Sequence, residues 1–459
     1  MSGRGLPRAA GYRRRFMDAF EITGGRPLRG EVTIQGAKNA ALPLMAAALL
    51  ASGDTPVTLR NVPDLSDIRS MLRLLAELGL ELGRGGDGAL SAPPSRSENS
   101  LAPYEIVKTM RAGICVLGPL LAKRGRAEVS MPGGCAIGTR PVDLHLRGLE
   151  ALGARITLDA GYIKAEAPPA RGGGRRLRGA HVFLGGPNGS TVLGTANVMS
   201  AAVLASGTTV IECAACEPEI EDLGAMLTAM GARIEGLGSP RVTIHGVEEL
   251  SGVDHAVMPD RIEAGTYLAA AAATGGDVVL HRFPVKALGA FLAALREVGV
   301  TLEEAGSKPA DRDLNNAETA SVRGVVPRRL DPTAVVTQPH PGFPTDLQAQ
   351  LMALLCLADG NSLVTEKIFP DRFLHVPELQ RMGADITRLG PSAMVRGVRE
   401  LIGAPVMASD LRASAGLVIA GLAARGTTLV QRVYHLDRGY EAMETRLQAL
   451  GAQIERVNR

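Results

Sequence analysis

A helix–turn–strand pattern recurs six times along the 459 residues. Each copy has an apolar helix, a glycine turn, a β-branched strand and a second helix that ends at another glycine. The second glycine follows the first by 23 to 28 residues, and successive closing glycines are 68 to 84 residues apart. The closing glycines are Gly79, Gly153, Gly231, Gly299, Gly383 and Gly451. Because each copy has room for several strands and two helices, the pattern predicts an α/β chain of six similar units.

The first helix of a unit is typically apolar on every side. Five such segments are Ala40–Leu50, Thr195–Leu204, Gly265–Ala273, Leu347–Leu357 and Ala413–Ala423. A helix of this kind lies inside a protein, since it has no polar face to present to water. A chain of this length also exceeds the usual size of one hydrophobic core. We therefore expect helices inside and sheets outside, with three units in each of two domains and a cleft between them.

Several of these helices begin with polar or charged residues. The starts are Lys38–Asn39, Asp260–Glu263, Thr345–Gln348 and Ser409–Arg412, of which the second and third have capping-box spacing. Each could serve only as a cap, but several helix N-termini around one cleft would favour phosphates and carboxylates. The cations that would strengthen this field are Lys38, Arg140, Arg412 and Arg438.

The formal net charge of +3 is unevenly distributed. The first twenty residues carry five arginines against Asp18, so the remaining chain is close to neutral, which disfavours nucleic-acid binding through bulk electrostatics. No apolar run follows these arginines as a secretory signal would require, and none reaches membrane-spanning length. We expect residues 1–16 to be a disordered basic extension; a transit peptide and a translation start at Met17 are the alternatives.

The five cysteines do not form the pattern of a disulfide framework, since their number is odd in a long chain. Cys213 and Cys216 have C-x-x-C spacing without a partner pair, which is weak support for a metal or redox role. No residue cluster has metal-ligand spacing, so we predict no metal. A reducing, cytoplasmic setting fits this cysteine usage.

Cys135 differs from the other cysteines in its surroundings. It lies among glycines in P-G-G-C-A-I-G-T-R, close to Arg140. A nearby cation favours the thiolate, which is the reactive form of a cysteine. On the cysteine alone, a small side chain on a loop is an equally good interpretation.

Ordered motifs along the chain resemble the UDP-N-acetylglucosamine 1-carboxyvinyltransferase family, over about Phe20 to Val457. They include G-A-K-N-A-A-L-P at Gly36–Pro43, P-G-G-C-A-I-G-T-R-P-V-D-L at Pro132–Leu144, P-D-R-I-E-A-G-T at Pro259–Thr266, F-P-T-D-L-Q-A-Q at Phe343–Gln350, R-F-L-H-V-P-E-L at Arg372–Leu379 and D-L-R-A-S-A at Asp410–Ala415. The resemblance implies a two-domain inside-out α/β barrel, the enolpyruvyl transferase fold, with three repeats per domain. Residues 38–258 would form the domain with the cysteine loop, and 17–37 plus 259–459 the domain with the catalytic aspartate and the phosphoenolpyruvate arginines.

The resemblance also implies a reaction. The family transfers the enolpyruvyl group of phosphoenolpyruvate to the 3′-hydroxyl of UDP-N-acetylglucosamine and releases phosphate, by addition and then elimination. This is the first committed step of bacterial peptidoglycan synthesis, and it needs no metal or organic cofactor. The implied partners are these two small molecules, without nucleic acid and without membrane insertion.

Individual roles follow only from the matching motifs. Cys135 resembles the proton donor, which in the family can also bond covalently to the substrate, and Asp346 resembles the base that faces the sugar hydroxyl and helps to orient it. The predicted catalytic residues are Cys135, Asp346, Lys38 and Arg412. The predicted phosphoenolpyruvate ligands are Lys38, Asn39, Arg140, Arg412 and Arg438. The predicted nucleotide-sugar contacts are Arg111, Arg140, Pro141, Val142, Asp143, Leu144, Asp346 and Ile368, the last of which could instead be plain core. Further charged residues in matching motifs, without assigned roles, are Glu217, Asp260, Glu263, Arg372 and Asp410.

The chain departs from the family pattern in three places. Cys216 stands where many relatives have arginine, Asn188–Asn197 differs from the usual pattern, and Gly306–Pro327 aligns poorly, so we expect a surface loop there. The alternative functions are 3-phosphoshikimate 1-carboxyvinyltransferase, which Asn39 and Cys135 disfavour, a paralogue that uses another nucleotide sugar, and a non-enzymatic or RNA-handling protein.

Overall fold

The structure, a computed structural model, describes residues 18–132, 142–170, 172–304, 320–325 and 329–458. Its α-helices are α1 (Lys38–Ala47), α2 (Ser66–Glu77), α3 (Tyr104–Val107), α4 (Leu117–Arg124), α5 (Asp143–Ala151), α6 (Val192–Ala202), α7 (Pro218–Ala229), α8 (Arg261–Thr274), α9 (Gly289–Glu297), α10 (Gln348–Leu355), α11 (Val376–Arg381), α12 (Leu411–Ala423) and α13 (Met443–Ala449). Short 3₁₀ turns are found at Ala48–Leu50, Arg111–Val116, Val285–Leu288, Thr345–Leu347 and Val433–Arg438.

The strands alternate with these helices along the chain, so the protein is of mixed α/β class. They are β1 (Asp18–Thr23), β2 (Arg29–Thr33), β3 (Val57–Arg60), β4 (Gly83–Arg84), β5 (Leu90–Ala92), β6 (Leu101–Ala102), β7 (Arg126–Ser130), β8 (Arg155–Asp159), β9 (Tyr162–Glu166), β10 (His181–Phe183), β11 (Gly185–Gly186), β12 (Gly189–Ser190), β13 (Thr208–Glu212), β14 (Arg233–Glu235), β15 (Arg241–His245), β16 (Asp254–Ala256), β17 (Asp277–Phe283), β18 (Thr301–Glu304), β19 (Ala320–Val325), β20 (Ala334–Val336), β21 (Asn361–Thr365), β22 (Asp385–Leu389), β23 (Ser392–Arg396), β24 (Pro405–Met407), β25 (Thr427–Gln431) and β26 (Gln453–Asn458).

Within the described ranges these strands form six four-stranded sheets and the small hairpin β11–β12. The sheet orders are β16-β3-β5-β4, β6-β7-β9-β8, β10-β13-β15-β14, β18-β19-β17-β2, β20-β21-β23-β22 and β24-β25-β1-β26. Each sheet has one parallel and two antiparallel pairings. Strands such as β3, β13 and β21 alternate buried and partly exposed residues, as expected where one sheet face packs on a core and the other faces water.

Two hydrophobic cores divide the molecule into two lobes. The core of the N-terminal lobe runs from Ala37 to Val257. The core of the C-terminal lobe combines residues 20–34 with residues 262–454. Helices α8, α10 and α12 pack against one another in the second core, and α1, α4 and α6 lie close together in the first.

These central helices are buried on nearly every side, as their apolar sequences predict. In α12, eleven of thirteen residues are buried, and in α1 nine of ten. Burying a leucine or valine side chain contributes about 1.5–3 kcal/mol relative to leaving it exposed, so an apolar helix gains most when no face meets water. The charged residues at the starts of α1 and α12, Lys38 and Arg412, are buried as well.

The first strand of the chain belongs to a sheet built otherwise from its end. β1 lies between β25 and β26 and pairs antiparallel with both, from Asp18 opposite Asn458 to Thr23 opposite Thr427. β2 likewise pairs with β17 of the C-terminal lobe. The chain therefore starts in the C-terminal lobe and then crosses to the N-terminal lobe.

The two crossings between the lobes lie side by side. The amide of Ala37 donates to the carbonyl of Met258 at 2.7 Å, and the amide of Asp260 donates to the carbonyl of Gln35 at 2.7 Å. Glycine is required at Gly36, because a Cβ there would stand 1.7 Å from the carbonyl oxygen of Asn61. The lobes are thus joined by a tight pair of extended segments.

The expectation of a surface loop over Gly306–Pro327 is wrong for residues 320–325. They form β19, which pairs with both β17 and β18 inside a four-stranded sheet. The remainder of that segment lies outside the described residues. Across the described ranges, the helices are too short or too polar to span a lipid bilayer.

Candidate active site

Charged residues from both lobes meet at the gap between them. Lys38, at the start of α1, places its Nζ 3.2 Å from Oδ2 of Asp67 on α2. Arg438, from the other lobe, donates from Nε to Oδ1 of the same carboxylate at 3.0 Å. Asp67 is only 5% exposed, so this three-membered contact is largely shielded from water. One carboxylate therefore holds two of the predicted phosphoenolpyruvate ligands in place.

Burial dominates the electrostatics of Lys38. Its pKa is lowered, chiefly because burial disfavours the charged ammonium, and secondarily because Arg412 and Arg438 are nearby. Asp67 and, more weakly, Asp346 act in the opposite direction. A buried ammonium with a lowered pKa can both attract an anion and exchange a proton.

Asp346 is a second point where charged residues of the site meet. Its side chain is 25% exposed. Arg412 donates from Nη2 to Oδ2 at 3.0 Å, and Arg372 donates from Nη1 to Oδ1 at 2.8 Å. Asn39 of the N-terminal lobe approaches Oδ2 at 3.5 Å. Both guanidinium groups are buried and stabilise the carboxylate in one orientation.

Among the described residues, one guanidinium nitrogen of Arg412 takes part in no hydrogen bond. Arg412 is 3% exposed, and this nitrogen is its Nη1. Burial opposes its charge, but Asp346, Tyr440 and Asp260 outweigh burial and raise its pKa, so it stays cationic. A buried guanidinium nitrogen without a partner is unusual in a folded protein and fits a donor that awaits an anionic ligand.

We call these two meeting points together the interlobe charge cluster. Its members are Lys38, Asp67, Asp346, Arg372, Arg412 and Arg438. The members comprise four cationic side chains and two carboxylates, an excess of positive charge. Such a cluster favours a ligand that carries phosphate or carboxylate groups.

The helix starts position these side chains in different ways. Asp410 caps α12 by accepting from the amides of Arg412 and Ala413, and Asp260 caps α8 in the same manner. The segment Thr345–Gln348 has capping-box spacing, but Thr345 does not cap the helix that follows it. Its hydroxyl donates instead to Glu366 at 2.9 Å. The side chain of Gln348, the other residue with capping-box spacing, is buried and has no hydrogen-bond partner within the described ranges.

The nucleotide-sugar residues predicted in the N-terminal lobe lie near one another. Arg111 opens a 3₁₀ turn, and Asp143 and Leu144 open α5, with Val142 buried just before it. Asn197 on α6 connects these elements. Its amide donates to the carbonyl of Ile114 at 2.9 Å and contacts Nδ1 of His145 at 2.8 Å, while its oxygen accepts from the amide of Gly118 at 2.8 Å.

His145 is neutral in this setting. Burial, reinforced by Arg111, lowers its pKa to about 4, against the opposing effect of Asp143. Because the amide of Asn197 donates, Nδ1 of His145 accepts and the ring proton sits on Nε2. The histidine therefore adds no positive charge beside α5.

The hairpin β11–β12, whose second strand lies in the divergent segment, extends from this region toward the C-terminal lobe. A Cβ on Gly186 would lie 3.1 Å from Leu144, and one on Gly189 would lie 2.9 Å from Pro339 of the other lobe. Nearby, Glu217 accepts from the amide of His340 at 3.4 Å. Burial and Glu219 raise the pKa of Glu217. The lobes therefore also touch at the edge where Leu144 lies.

A buried ion pair also joins the two lobes, and Glu263 and Ile368 are two further predicted residues. Glu219 and Arg261 form a buried ion pair at 2.9 Å between α7 and α8. Glu263 accepts from the amide of Gln35 at 2.8 Å, in the segment that crosses between the lobes. Ile368 is half-buried, and its amide donates to Glu366 at 2.8 Å.

Cys135, Arg140 and Pro141 lie outside the described residues, as does the basic extension. Of the predicted phosphoenolpyruvate ligands, Lys38, Asn39, Arg412 and Arg438 come together with Asp346 around the gap. Arg111 and Val142–Leu144 belong to a separate group in the N-terminal lobe. Among the described side chains, no group of three or more histidines, cysteines and acids could hold a metal ion.

Sequence reasoning missed Asp67 and Glu366. Asp67 occupies the first turn of an amphipathic helix, where an acid is ordinary, so no local signal distinguished it. Glu366 did carry a signal. The strand N-S-L-V-T buries Ser362 and Val364, and the same alternation puts Glu366 on the buried face.

Comparisons with known proteins identify the family of the chain. A family model described as EPSP synthase (3-phosphoshikimate 1-carboxyvinyltransferase) matches residues 22–447. The UDP-N-acetylglucosamine 1-carboxyvinyltransferase of Anaeromyxobacter sp. (strain Fw109-5) is 55% identical over 442 residues, or 96% of this chain and 99% of that protein. The protein of the same name from Myxococcus xanthus (strain DK1622) is 52% identical over 442 residues, with the same two shares covered.

Two solved structures share the fold. The enolpyruvyl transferase NikO from Streptomyces tendae matches with a TM-score of 0.83 at 24% identity, over 97% of this chain and 100% of that one. EPSP synthase from Acinetobacter baumannii matches with a TM-score of 0.71 at 17% identity, over 96% and 100%. The sequence identity to the curated relatives is far higher and extends over nearly the whole length. The chain belongs to the UDP-N-acetylglucosamine 1-carboxyvinyltransferase family of enolpyruvyl transferases.

Proposed function

We propose that the protein transfers the enolpyruvyl group of phosphoenolpyruvate to the 3′-hydroxyl of UDP-N-acetylglucosamine, with release of phosphate. In a bacterial cell this reaction would be the first committed step of peptidoglycan synthesis, in the cytoplasm, and so would bear on cell shape and division. The relatives at 50–55% identity carry the name of this activity. The shikimate-pathway activity is disfavoured, because its solved representative is only 17% identical.

The interlobe charge cluster is the observation that carries the proposal. Phosphoenolpyruvate presents a phosphate and a carboxylate on one small carbon skeleton, so its site needs several cations within a few ångströms. Lys38 and Arg438 share Asp67, and the buried Nη1 of Arg412 has no hydrogen-bond partner in the part of the chain that the structure describes. An anion between the lobes would satisfy that nitrogen and gain from a shielded, low-dielectric setting.

The chemistry would then divide among these residues. Asp346, held by Arg372 and Arg412, would orient the sugar hydroxyl and accept its proton as the oxygen attacks the enolpyruvyl carbon. Cys135 would deliver a proton to the methylene carbon, giving the tetrahedral adduct. Loss of phosphate together with a proton from the resulting methyl group would then restore the carbon–carbon double bond of the enolpyruvyl product. Lys38 and Arg412 would stabilise the charge on the departing phosphate.

Other features belong to the same proposal. We infer that Arg111, Val142, Asp143, Leu144 and Ile368 contact the nucleotide sugar, together with Arg140 and Pro141. The domains would comprise residues 38–258 and residues 17–37 plus 259–459, each with three repeats of an inside-out α/β barrel. Cys135 would be able to form a covalent adduct with the substrate and to react with fosfomycin.

Phosphate release tests the function directly. The purified protein is mixed with phosphoenolpyruvate and either UDP-N-acetylglucosamine or shikimate 3-phosphate, and inorganic phosphate is measured over time. We expect turnover with the nucleotide sugar alone. Release with shikimate 3-phosphate alone would overturn the proposal, and release with another UDP-sugar but not with UDP-N-acetylglucosamine would identify a different acceptor.

A further inference from the structure

Glu366 is a fully buried carboxylate directly after β21, with 0% of its surface exposed. Four neutral donors surround it. Oε1 accepts from the hydroxyl of Thr337 at 2.7 Å and from the amides of Ile368 at 2.8 Å and Phe369 at 2.9 Å. Oε2 accepts from the hydroxyl of Thr345 at 2.9 Å. A buried carboxylate usually pairs with a cation, so this arrangement calls for a reason other than charge neutralisation.

The first oxygen fixes the turn that follows β21. It accepts the amides of the second and third residues after Glu366, and the hydroxyl of Thr337 in turn accepts from the amide of Lys367 at 2.9 Å. Three successive backbone amides are therefore held by one carboxylate and the threonine bound to it. This turn carries Ile368, which we propose as part of the nucleotide-sugar site.

The second oxygen sets the direction of a hydrogen-bond chain to Asp346. A hydroxyl has one proton, and Thr345 gives its proton to Glu366, so its oxygen is left to accept. Arg372 donates to that oxygen from Nη1 at 3.0 Å and, from the same nitrogen, to Oδ1 of Asp346 at 2.8 Å. Arg372 is 6% exposed and has little room to turn elsewhere.

We propose that Glu366 is a positioning residue for the transfer reaction, acting on both sides of the site without touching substrate. Through Thr345 and Arg372 it fixes the orientation of Asp346, and through the turn it fixes the backbone of Ile368. This role rests on the proposed function, in which Asp346 meets the sugar hydroxyl and Ile368 meets the nucleotide sugar.

The substitution Glu366→Gln should disturb the hydrogen-bond chain to Asp346 but leave the turn at Ile368 in place. The amide oxygen can still accept from the amides of Ile368 and Phe369, so the turn should persist. The amide nitrogen would then face Thr345 and donate to its hydroxyl oxygen, which competes with Arg372 for that oxygen. We expect kcat to fall by about 10- to 100-fold, since small misplacements of a reacting group have costs of that order. We expect the Kd for UDP-N-acetylglucosamine to stay close to that of the wild type.

Thr345 supplies an independent pair of variants. Thr345→Val removes the hydroxyl without disturbing the turn at Ile368, so it should lower kcat as Glu366→Gln does. Thr345→Ser keeps the hydroxyl and should recover most of that loss. The pH profile of kcat should change in Glu366→Gln and Thr345→Val and not in Thr345→Ser, because only the first two disturb the contact between Arg372 and Asp346.

Glu297→Gln is a matched control. Glu297 accepts from the hydroxyl of Thr333 at 2.6 Å, a similar threonine–glutamate pair that lies exposed elsewhere in the same lobe. The experiment measures kcat, its pH profile, the Kd for UDP-N-acetylglucosamine and the melting temperature of all variants.

A kcat and pH profile of Glu366→Gln equal to those of an active wild type would overturn the positioning role alone. A parallel loss of kcat, Kd and melting temperature in Glu366→Gln and Thr345→Val would reduce Glu366 to a structural residue. A wild-type protein without turnover would overturn the proposed function and this role with it.

Discussion

Asp67 of the N-terminal lobe and Arg438 of the C-terminal lobe form an ion pair, with Nε of the arginine 3.0 Å from Oδ1 of the aspartate. The two residues are 371 positions apart in the chain. The same carboxylate also contacts Lys38 on its own lobe. The contact between the lobes and the environment of the buried lysine are therefore controlled by one side chain.

Replacing this carboxylate should change how activity depends on pH. Burial already lowers the pKa of Lys38, and Asp67 is the largest influence that opposes burial. In Asp67→Asn the pKa of Lys38 should fall further, so the ammonium is lost at a lower pH. We expect kcat/KM for phosphoenolpyruvate to decline by about tenfold for each further unit by which that pKa falls below the assay pH. Measuring kcat/KM from pH 6 to 9 would reveal the earlier alkaline decline.

Asp64→Asn is the control for this change. Asp64 lies just before the same helix and pairs with Arg69 at the exposed surface, away from the buried lysine. Its profile should match that of the wild type. An Asp67→Asn profile that also matches the wild type would show that the carboxylate does not govern Lys38.

Asp346→Asn should separate catalysis from nucleotide binding. The amide keeps the size of the side chain but accepts a proton poorly, and general-base catalysis is typically worth 10²- to 10⁴-fold. We expect kcat to fall within about that range while the Kd for UDP-N-acetylglucosamine changes little. Steady-state kinetics and isothermal titration would measure both. The control is Asp371→Asn, which breaks an exposed ion pair with Arg388 and should leave both values as in the wild type. An unchanged kcat in Asp346→Asn would show that Asp346 takes no part in the chemistry.

Glu263 should make folding stability depend on pH near neutrality. Burial raises its pKa to about 7, against the opposing effects of Arg446 and the amide of Gln35. Because the folded protein holds this proton more tightly than the unfolded chain, the stabilisation is complete below about pH 4.5 and is lost as pH rises through 7. The loss by pH 8.5 should be on the order of 3 kcal/mol.

Urea unfolding of the wild type and Glu263→Gln checks this prediction. The sequence has no tryptophan, so circular dichroism is the suitable signal. The free energy of unfolding of the wild type should fall between pH 5 and pH 8.5 by more than that of Glu263→Gln, which has no proton to lose at this site. Parallel curves for the two proteins would contradict a raised pKa at Glu263.

Cysteine reactivity should be selective. Burial raises the pKa of Cys115 and of Cys356 to about 12, so almost none of either thiol is ionised at pH 7.5. We expect fosfomycin to add its mass to Cys135 and to leave these two cysteines unmodified, as peptide mass mapping would show. Cys135→Ser should take up no fosfomycin; an adduct on a buried cysteine, or none at all on the wild type, would count against the proposed role of Cys135.

The sequence predicted those features of the fold and site that local pattern determines. Helices apolar on every side are buried in the cores, and the acids before α8 and α12 act as caps, because burial and capping depend on residues a few positions apart. Thr345 does not cap its helix because its hydroxyl donates to Glu366, 21 residues away, and its oxygen accepts from Arg372 at 3.0 Å instead of from a helix amide. Strand β19 was missed because its alignment with relatives was poor, although A-S-V-R-G-V has the composition of a strand.

Contacts between distant segments were beyond such reasoning. Asp67 has the local signature of an ordinary first-turn acid, and its role follows only from the approach of Arg438. The position of Glu366 could be predicted only in part. Alternation in β21 marks it as inward-facing, but its four donors come from three separate segments that only the folded chain brings together.

The position of β1 between β25 and β26 has a consequence for biosynthesis. The ribosome makes β1 long before it makes either neighbouring strand, β25 or β26. The N-terminal lobe can form its core while the nascent chain grows, whereas β1 must wait with both edges unpaired. A chain released before Gln453 would leave a hydrophobic strand edge open to pairing with other polypeptides, so premature termination near the end should yield aggregates rather than a slightly shortened enzyme.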